Sequence, residues 1–462
     1  MKRKICACIL ALALLLSATA LIGCQSEQAI GVAGMEINEN GELILKTTDG
    51  QSQNLGVVTG KDGVDGKDGQ DGARGSKGAQ GDKGDTGEAG KDGAPGKDGS
   101  LVINSVSAAV TAATAKGLRS SVSISAEFTG TFQTNPFRPT YYEEDYSQGG
   151  SGVIYKLDEA AGDAYIVTNY HVVYSASSNN SDKISDRISV FLYGSEYLDQ
   201  AITATYVGGS ANYDIAVLRV EGSDLLKTSC VKAVTLCDEG DPTVGESAIA
   251  IGNAEGEGIS ASYGIVSVDS EYVPMSSING LSTVTMRLMR IDTAVNHGNS
   301  GGGLFNDEGE LMGIVNAKIV EDDVENIGYA IPLSVVKGAV DNIIDHCADG
   351  SHRTVRRATL GVTVAITESK AVYDVETGLM RIEETVSVAE VDETALGNSL
   401  MVDDVILSVE RNGEILEITR QYQVIDMMLT VRENDVLHMT VLRGSDEIVV
   451  DITVTAESML SY

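Results

Sequence analysis

The chain is short of positive charge. Its 462 residues carry 33 Lys and Arg against 67 Asp and Glu, a formal net charge of −34. That balance argues against binding nucleic acid or an anionic lipid surface, which attract clustered cations. Cysteine is scarce as well. There are six, and only Cys230, Cys237 and Cys347 follow residue 24. An odd number cannot pair completely. Cys230 and Cys237 could bridge, although no spacing rule demands it. No histidines cluster with the cysteines, so three buried thiols and no metal site are expected. A single long apolar run, Ile5 to Ile22, approaches the length of a membrane span. There is no Walker loop, no dinucleotide fingerprint and no zinc motif. No cofactor is expected.

The apolar run follows a basic start, Met1-Lys2-Arg3-Lys4, which makes an export signal. It ends in Leu21-Ile22-Gly23-Cys24, which resembles a bacterial lipobox. That resemblance implies cleavage of residues 1–23 and lipid on Cys24, hence an extracytoplasmic protein anchored to a bacterial cell membrane. Two or more acyl chains, at roughly 0.8 kcal/mol per buried CH₂, hold firmly. A retained transmembrane helix is the alternative reading.

Residues 24–59 form a short acidic-polar region. Asn40-Gly41 stands there between alternating apolar positions, a hairpin signal. From Gly60 to Gly99 every third residue is glycine without a break. That is the collagen pattern, because only glycine fits at the axis of a triple helix. The stretch holds one proline, Pro95. Its Lys-Asp-Gly triplets resemble those of bacterial collagen-like proteins, where interchain ion pairs supply stability. At about 3 Å per residue the rod is on the order of 120 Å long.

Residues 100–118 read as a helical linker, with the helix over 104–118. Short apolar strands with glycine turns follow, over a domain of residues 119–350. They include Val153-Ile154-Tyr155, Ile166-Val167, Ile188 to Phe191, Ile202 to Val207, Ile215 to Val220, Ala248 to Ile251 and Ile265 to Val268. This is a mainly β pattern of one barrel or two. The aromatic and acidic stretch from Thr131 to Gly149 reads as a loop. A helix starts at Ile331-Pro332, carries Val336, Val340, Ile344 and Cys347 on one face, and ends at Gly350.

Three strings carry chemistry. Asn296-His297-Gly298-Asn299-Ser300-Gly301-Gly302-Gly303 puts a serine on an uncrowded turn between apolar runs. A nucleophilic serine needs that access, with backbone N–H groups near the developing oxyanion. Gly298 can take positive φ and turn its N–H inward. Upstream, Thr168-Asn169-Tyr170-His171-Val172 ends an apolar strand, and Tyr213-Asp214-Ile215-Ala216-Val217-Leu218 opens another. The order His, Asp, Ser is one of those known for a triad in which His deprotonates Ser and Asp orients His.

Together these strings resemble the HtrA (DegP/DegQ) family of trypsin-like serine proteases. The resemblance implies a chymotrypsin-like double β-barrel and a serine endopeptidase acting on misfolded or unfolded exported proteins. It makes His171 the general base, Asp214 its orienter and Ser300 the nucleophile. It assigns the N–H groups of Gly298 and Ser300 to the oxyanion hole. The family usually has proline where His297 and Gly303 stand. Both replacements free the backbone, which fits either a loop that must be switched on or neutral drift.

After a basic hinge at 351–357, residues 354–457 resemble a PDZ domain. Leu360-Gly361-Val362 matches its carboxylate-binding loop and Gln421 to Val431 its groove helix, while Asp403 stands where the family often has glycine. Such a domain adds an extended peptide or a peptide C-terminus as a strand. HtrA-type protease domains are typically trimers, and a collagen rod needs three chains, so a homotrimer is expected. The rival reading is an inert adhesin or chaperone displayed on a stalk.

Overall fold

The structure is a computed structural model. It describes residues 32–37, 42–47, 51–57, 106–134, 140–195, 200–237, 242–317, 327–347, 350, 353–375, 377–392 and 400–462. Cys24 and the glycine repeat lie outside these residues. The chain divides into two units, Met1–Lys97 and Asp98–Tyr462.

In the first unit, β1 (Val32–Ile37), β2 (Glu42–Thr47) and β3 (Ser52–Val57) form an antiparallel sheet in that order. The expected hairpin is β1–β2, with Ile37 opposite Leu43. The third strand was not anticipated. A hairpin alone has too little to bury, and a further strand extends the sheet.

The second unit opens with α1 (Val106–Leu118). Ala113 is 1% exposed and joins the main core. A Cβ on Gly117 would come within 2.5 Å of Ile251 Cδ1, so glycine sets how closely the helix sits on the strand below. The strands β4 (Ser121–Gln133), β5 (Tyr141–Asp158), β6 (Asp163–Thr168), β7 (Arg187–Leu192), β8 (Ile202–Ser210) and β9 (Ile215–Val220) close a barrel in the order β4-β5-β6-β9-β8-β7. A short helix α2 (Tyr170–Val173) lies in its β6–β7 connection, and α3 (Asp224–Thr228) follows β9. A second barrel closes as β10-β11-β12-β15-β14-β13. Its strands are β10 (Ser247–Gly252), β11 (Ser260–Ser276), β12 (Thr283–Ile291), β13 (Gly303–Phe305), β14 (Leu311–Val315) and β15 (Gly328–Pro332).

The seam between the barrels explains the unbroken apolar runs. Ile154, Ile166 and Leu218 are in register across β5, β6 and β9 and fill the first barrel. Their neighbours Val153, Val167 and Val217 point the other way. They pack instead with Ile249, Leu288, Ile314 and the helix α4 (Leu333–Cys347). Both faces of these strands are buried, so alternation disappears from the sequence. Burying each such side chain contributes about 1.5–3 kcal/mol.

Several expectations are corrected. The stretch from Thr131 to Gly149 is mostly hairpin, because β4 and β5 run on as an arm. Phe128 lies in the first barrel's core with Tyr146 packed against it, the outer part of the arm is mostly exposed, and the rings pair across the strands. Phe128 stacks on Tyr146 at 5.5 Å between centroids, and Phe132 meets Tyr146 edge-on at 5.8 Å. Cross-strand aromatic pairs contribute enough to order such a hairpin. Pro332 ends β15, and α4 begins after it, burying Ile343 in preference to Ile344. Of the three cysteines only Cys347 is buried. Cys230 is exposed and Cys237 half-buried, and none of the three is in a disulfide. Among the described residues no helix is long and apolar enough to cross a membrane.

A third β unit follows. The linker strand β16 (Arg356–Ala358) leads to a sheet ordered β17-β18-β19-β21-β22. Its strands are β17 (Val362–Tyr373), β18 (Met380–Val391), β19 (Val405–Arg411), β21 (Val436–Arg443) and β22 (Asp446–Thr453), with β20 (Glu414–Glu417) paired to β19. The last strand, β23 (Met459–Ser461), lies past residue 457 and returns to pair with β16. Helix α5 (Gln421–Met427) is shorter than the expected 421–431. The chain leaves it in tight turns, and Leu429 packs into the core around α4, beside Gly338.

This C-terminal sheet is docked on the second barrel through buried polar groups. Arg287 of β12 and Asp426 of α5 form an ion pair, both under a tenth exposed. Ser334 Oγ donates to the same carboxylate at 2.8 Å, and the Arg287 guanidinium lies 3.5 Å from the centroid of the Tyr422 ring. Removing one partner of a buried pair leaves an uncompensated charge and costs about 3–5 kcal/mol. Asp426→Ala is therefore expected to undock the C-terminal sheet while both barrels stay folded. Calorimetry should then resolve two unfolding transitions, and an unchanged trace would reject this account of the interface.

Candidate active site

The three sequence-predicted side chains come from three strand ends that meet at the seam. His171 lies on α2, just after β6. Asp214 immediately precedes β9. Ser300 stands on the turn between β12 and β13. His171 Nδ1 is 2.7 Å from Asp214 Oδ2, and the His171 backbone N–H donates to Asp214 Oδ1 at 2.9 Å. Asp214 is fully buried. A buried carboxylate is tolerable only when its oxygens are hydrogen-bonded. The remaining need at Oδ2 is met by Asn316 Nδ2 at 2.9 Å, from the end of β14 in the other barrel.

Ser300 is 5% exposed. Its Oγ accepts the Ala317 N–H at 3.2 Å. Among the described hydrogen bonds none joins Ser300 Oγ to His171. Both residues line one cleft of about 600 Å³, together with Gln148, Ile278, His297 and Gly298. Nucleophile and base often stand apart in an empty site and close when substrate arrives.

The expected oxyanion loop is held from outside. The carbonyl of His297 accepts the Glu255 N–H at 2.7 Å. The N–H of Gly298, on the opposite side of that peptide plane, therefore faces away from Glu255. Gly298 takes φ 93°, and a Cβ there would lie 2.2 Å from Asn253 O. No other residue fits without moving the loop. Its carbonyl accepts from Ser151 Oγ at 2.7 Å. The neighbouring N–H groups of Asn299, Gly301 and Gly302 are all used within the protein. Among the described hydrogen bonds those of Gly298 and Ser300 donate to nothing, and both residues line the cleft.

Gly303 has a packing cause. It sits in β13, paired with Ile251 and Ile314 on either side. A Cβ there would be 2.5 Å from the Phe305 ring. Glycine admits that ring, and the residue is fixed, not loosened.

Residues 150–314 match the trypsin-like peptidase domain family, and residues 54–102 match the collagen triple helix repeat family. The serine protease Do-like HtrA of Bacillus subtilis (strain 168) is 37% identical over 225 residues. That match covers 48% of this chain and 44% of the relative. The serine protease Do-like HtrA of Lactococcus lactis subsp. lactis is 30% identical over 298 residues, 58% of this chain and 66% of the relative. The matched segments thus span less than two thirds of these relatives. A solved structure, the HtrA-type protease AlgW with decapeptide, covers 75% of this chain and 98% of its own at 25% identity and a TM-score of 0.46. The double barrel is similar to trypsin-like peptidase domains, and among curated relatives to serine proteases of the HtrA type.

Within this trypsin-like double barrel, several contributors escaped sequence reasoning. Asn169 Nδ2 donates to the Asp214 carbonyl at 2.9 Å. Thr168 Oγ1 donates to Ser151 O at 2.7 Å, against the backbone of Gly301. Asn316 is fully buried at the end of the apolar run Leu311–Val315. A polar residue closing a buried strand is the one signal that could have marked it. Beside His171, burial pushes the Tyr170 hydroxyl up to about 12, with Tyr174 and Asp182 adding to it. Tyr170 is therefore neutral near neutral pH.

The Leu360-Gly361-Val362 segment lies elsewhere, at the start of β17. Leu360 is buried and Gly361 takes φ 67°. Gln421, the first residue of α5, donates from Nε2 to Val364 O at 2.8 Å, so helix and strand lie side by side. Asp403, where glycine was the usual residue, takes φ 72°, the region glycine enters freely.

Asn316 gives a direct test. Hydrogen bonds to charged groups contribute about 1.5–3 kcal/mol. Asn316→Ala is expected to lower kcat for peptide hydrolysis roughly ten- to a hundredfold, with KM little changed. Steady-state kinetics on a reporter peptide decide it, and an unaltered kcat would remove Asn316 from the aspartate's support.

Proposed function

We propose that this protein is an extracytoplasmic serine endopeptidase of the HtrA type, lipid-anchored at Cys24 and acting on misfolded or unfolded exported proteins. The observation that carries the reading is that His171 and Ser300 line one cleft with Gly298, while the buried Asp214 holds the His171 ring from behind at 2.7 Å.

The chemistry follows from that arrangement. Substrate enters and the Ser300 hydroxyl leaves the Ala317 N–H for His171 Nε2. His171 takes the proton as Oγ attacks the peptide carbonyl carbon. Negative charge grows on the carbonyl oxygen, and the Gly298 and Ser300 N–H groups donate hydrogen bonds to it. Asp214 keeps the Nδ1 proton in place and stabilises the imidazolium. His171 then protonates the leaving amine, and the C–N bond breaks. Water, deprotonated by His171, hydrolyses the acyl-enzyme and restores Ser300.

In the same reading the C-terminal sheet is a PDZ domain that takes extended segments or peptide C-termini near Leu360, Gly361 and Val362. It recruits or regulates and does no chemistry. The decapeptide named with the AlgW structure belongs to that protein and supports the reading by analogy. The glycine repeat makes a triple-helical stalk, and the assembly is a homotrimer bound through lipid to the membrane.

Two measurements test this. A fluorophosphonate should label the wild-type protein and leave Ser300→Ala unlabelled. Equal absence of label in both would favour the inert display protein. Sedimentation of lipid-free protein spanning residues 25–462 should show a trimer, with Gly81→Val disrupting the rod locally because no side chain fits at its axis. A monomer at micromolar concentration would end the threefold assembly.

A further inference from the structure

Asp214 holds an uncommon backbone. Its φ is 51°, in the left-handed region. Such a residue is strained and persists only where its surroundings over-determine it. The turn before it, from Ser210 to Asp214, is gripped on several sides. Ser210 Oγ accepts the N–H groups of Asn212 and Tyr213 at 3.3 and 3.4 Å. Ala211 O accepts the Ile278 N–H at 3.2 Å, from the β11–β12 turn of the other barrel. The third grip comes from the linker to the C-terminal sheet. Arg357 Nη1 donates to the Tyr213 hydroxyl at 3.0 Å.

Arg357 is itself fixed. It lies in β16, opposite Leu460 of β23, and its guanidinium is 5.2 Å from the Tyr462 ring centroid. The Tyr462 ring also packs on Tyr213, 6.4 Å between centroids. The linker runs along the aspartate's own hairpin. Gly209 donates to Arg353 O at 3.0 Å, and Val355 is fully buried in the seam core beside Ile343 and Leu429. A chain from the docked C-terminal sheet thus ends on the residue next to Asp214. The Tyr213–Asp214 peptide is rigid, so a displaced Tyr213 tilts the carboxylate that meets His171 at 2.7 Å.

We propose that Tyr213 and Arg357 are positioning residues for Asp214, and that through them the docking of the C-terminal sheet sets the alignment of the His171–Asp214 pair. The inference rests on the endopeptidase reading above. Its distinctive claim is where coupling arrives: at the aspartate, on the side of the pair remote from the serine loop.

Tyr213→Phe removes only the hydroxyl and keeps the ring against Tyr462. In the full-length protein it should lower kcat about fivefold to tenfold with KM within about twofold. Arg357→Met should do the same, and Arg357→Lys, which can still donate to Tyr213, should recover part of the loss. A role confined to gluing domains together would lower Tm and leave kcat in place. That outcome in folded Tyr213→Phe and Arg357→Met proteins would overturn the inference. Wild-type protein without Ser300-dependent hydrolysis would instead overturn the endopeptidase reading, and this inference with it.

Discussion

The carboxylate of Asp214 is the group on which the two barrels agree. A buried charge is costly unless donors surround it. Here they come from both sides of the seam: the N–H and ring of His171 from the first barrel, the amide of Asn316 from the second. Apolar packing brings the barrels together but is non-directional. The carboxylate adds direction, because a slip along the seam would strand the charge or the Asn316 amide. The same contact that orients the imidazole therefore fixes one barrel's register on the other.

The C-terminal sheet belongs to this scheme more closely than a flexible appendage does. Leu429 shares a core with α4, Asn342 exchanges hydrogen bonds with the Arg356 backbone, and Arg287 is neutralised by Asp426. Within the sheet, Arg443 grips Asp404 with two hydrogen bonds and holds its carboxyl below the usual carboxylate range. Burial of this kind favours one docked arrangement over a continuum of them.

Much of the site was legible because its parts are strings at strand ends. Thr-Asn-Tyr-His-Val, Tyr-Asp-Ile-Ala-Val-Leu and Gly-Asn-Ser-Gly-Gly each hold one candidate triad residue within a few positions. What was hidden is long-range. Asn316 is 102 residues from Asp214, and the Asn253–Glu255 turn that pins the His297–Gly298 loop has no motif of its own. The β4–β5 arm was hidden for another reason. Its strands bury no common face, so the apolar alternation that reveals strands is absent, and ring pairs across the arm replace it. Gly303 misled because freedom of φ is one use of glycine and room for a neighbour's ring is another. Cys230 misled because cysteine is usually buried, a tendency that says nothing about one position.

The two-faced strands have a consequence for how this protein can vary. In β9 five of six positions are buried, some in the first barrel and some in the seam. A strand with one wet face lets substitutions accumulate at every second residue. β9 has no such outlet. A tolerance map of the chain should show no period of two there, only a block in which nearly every change is felt. Sequence drift is pushed outward instead, onto the aromatic arm and the exposed edges of the C-terminal sheet.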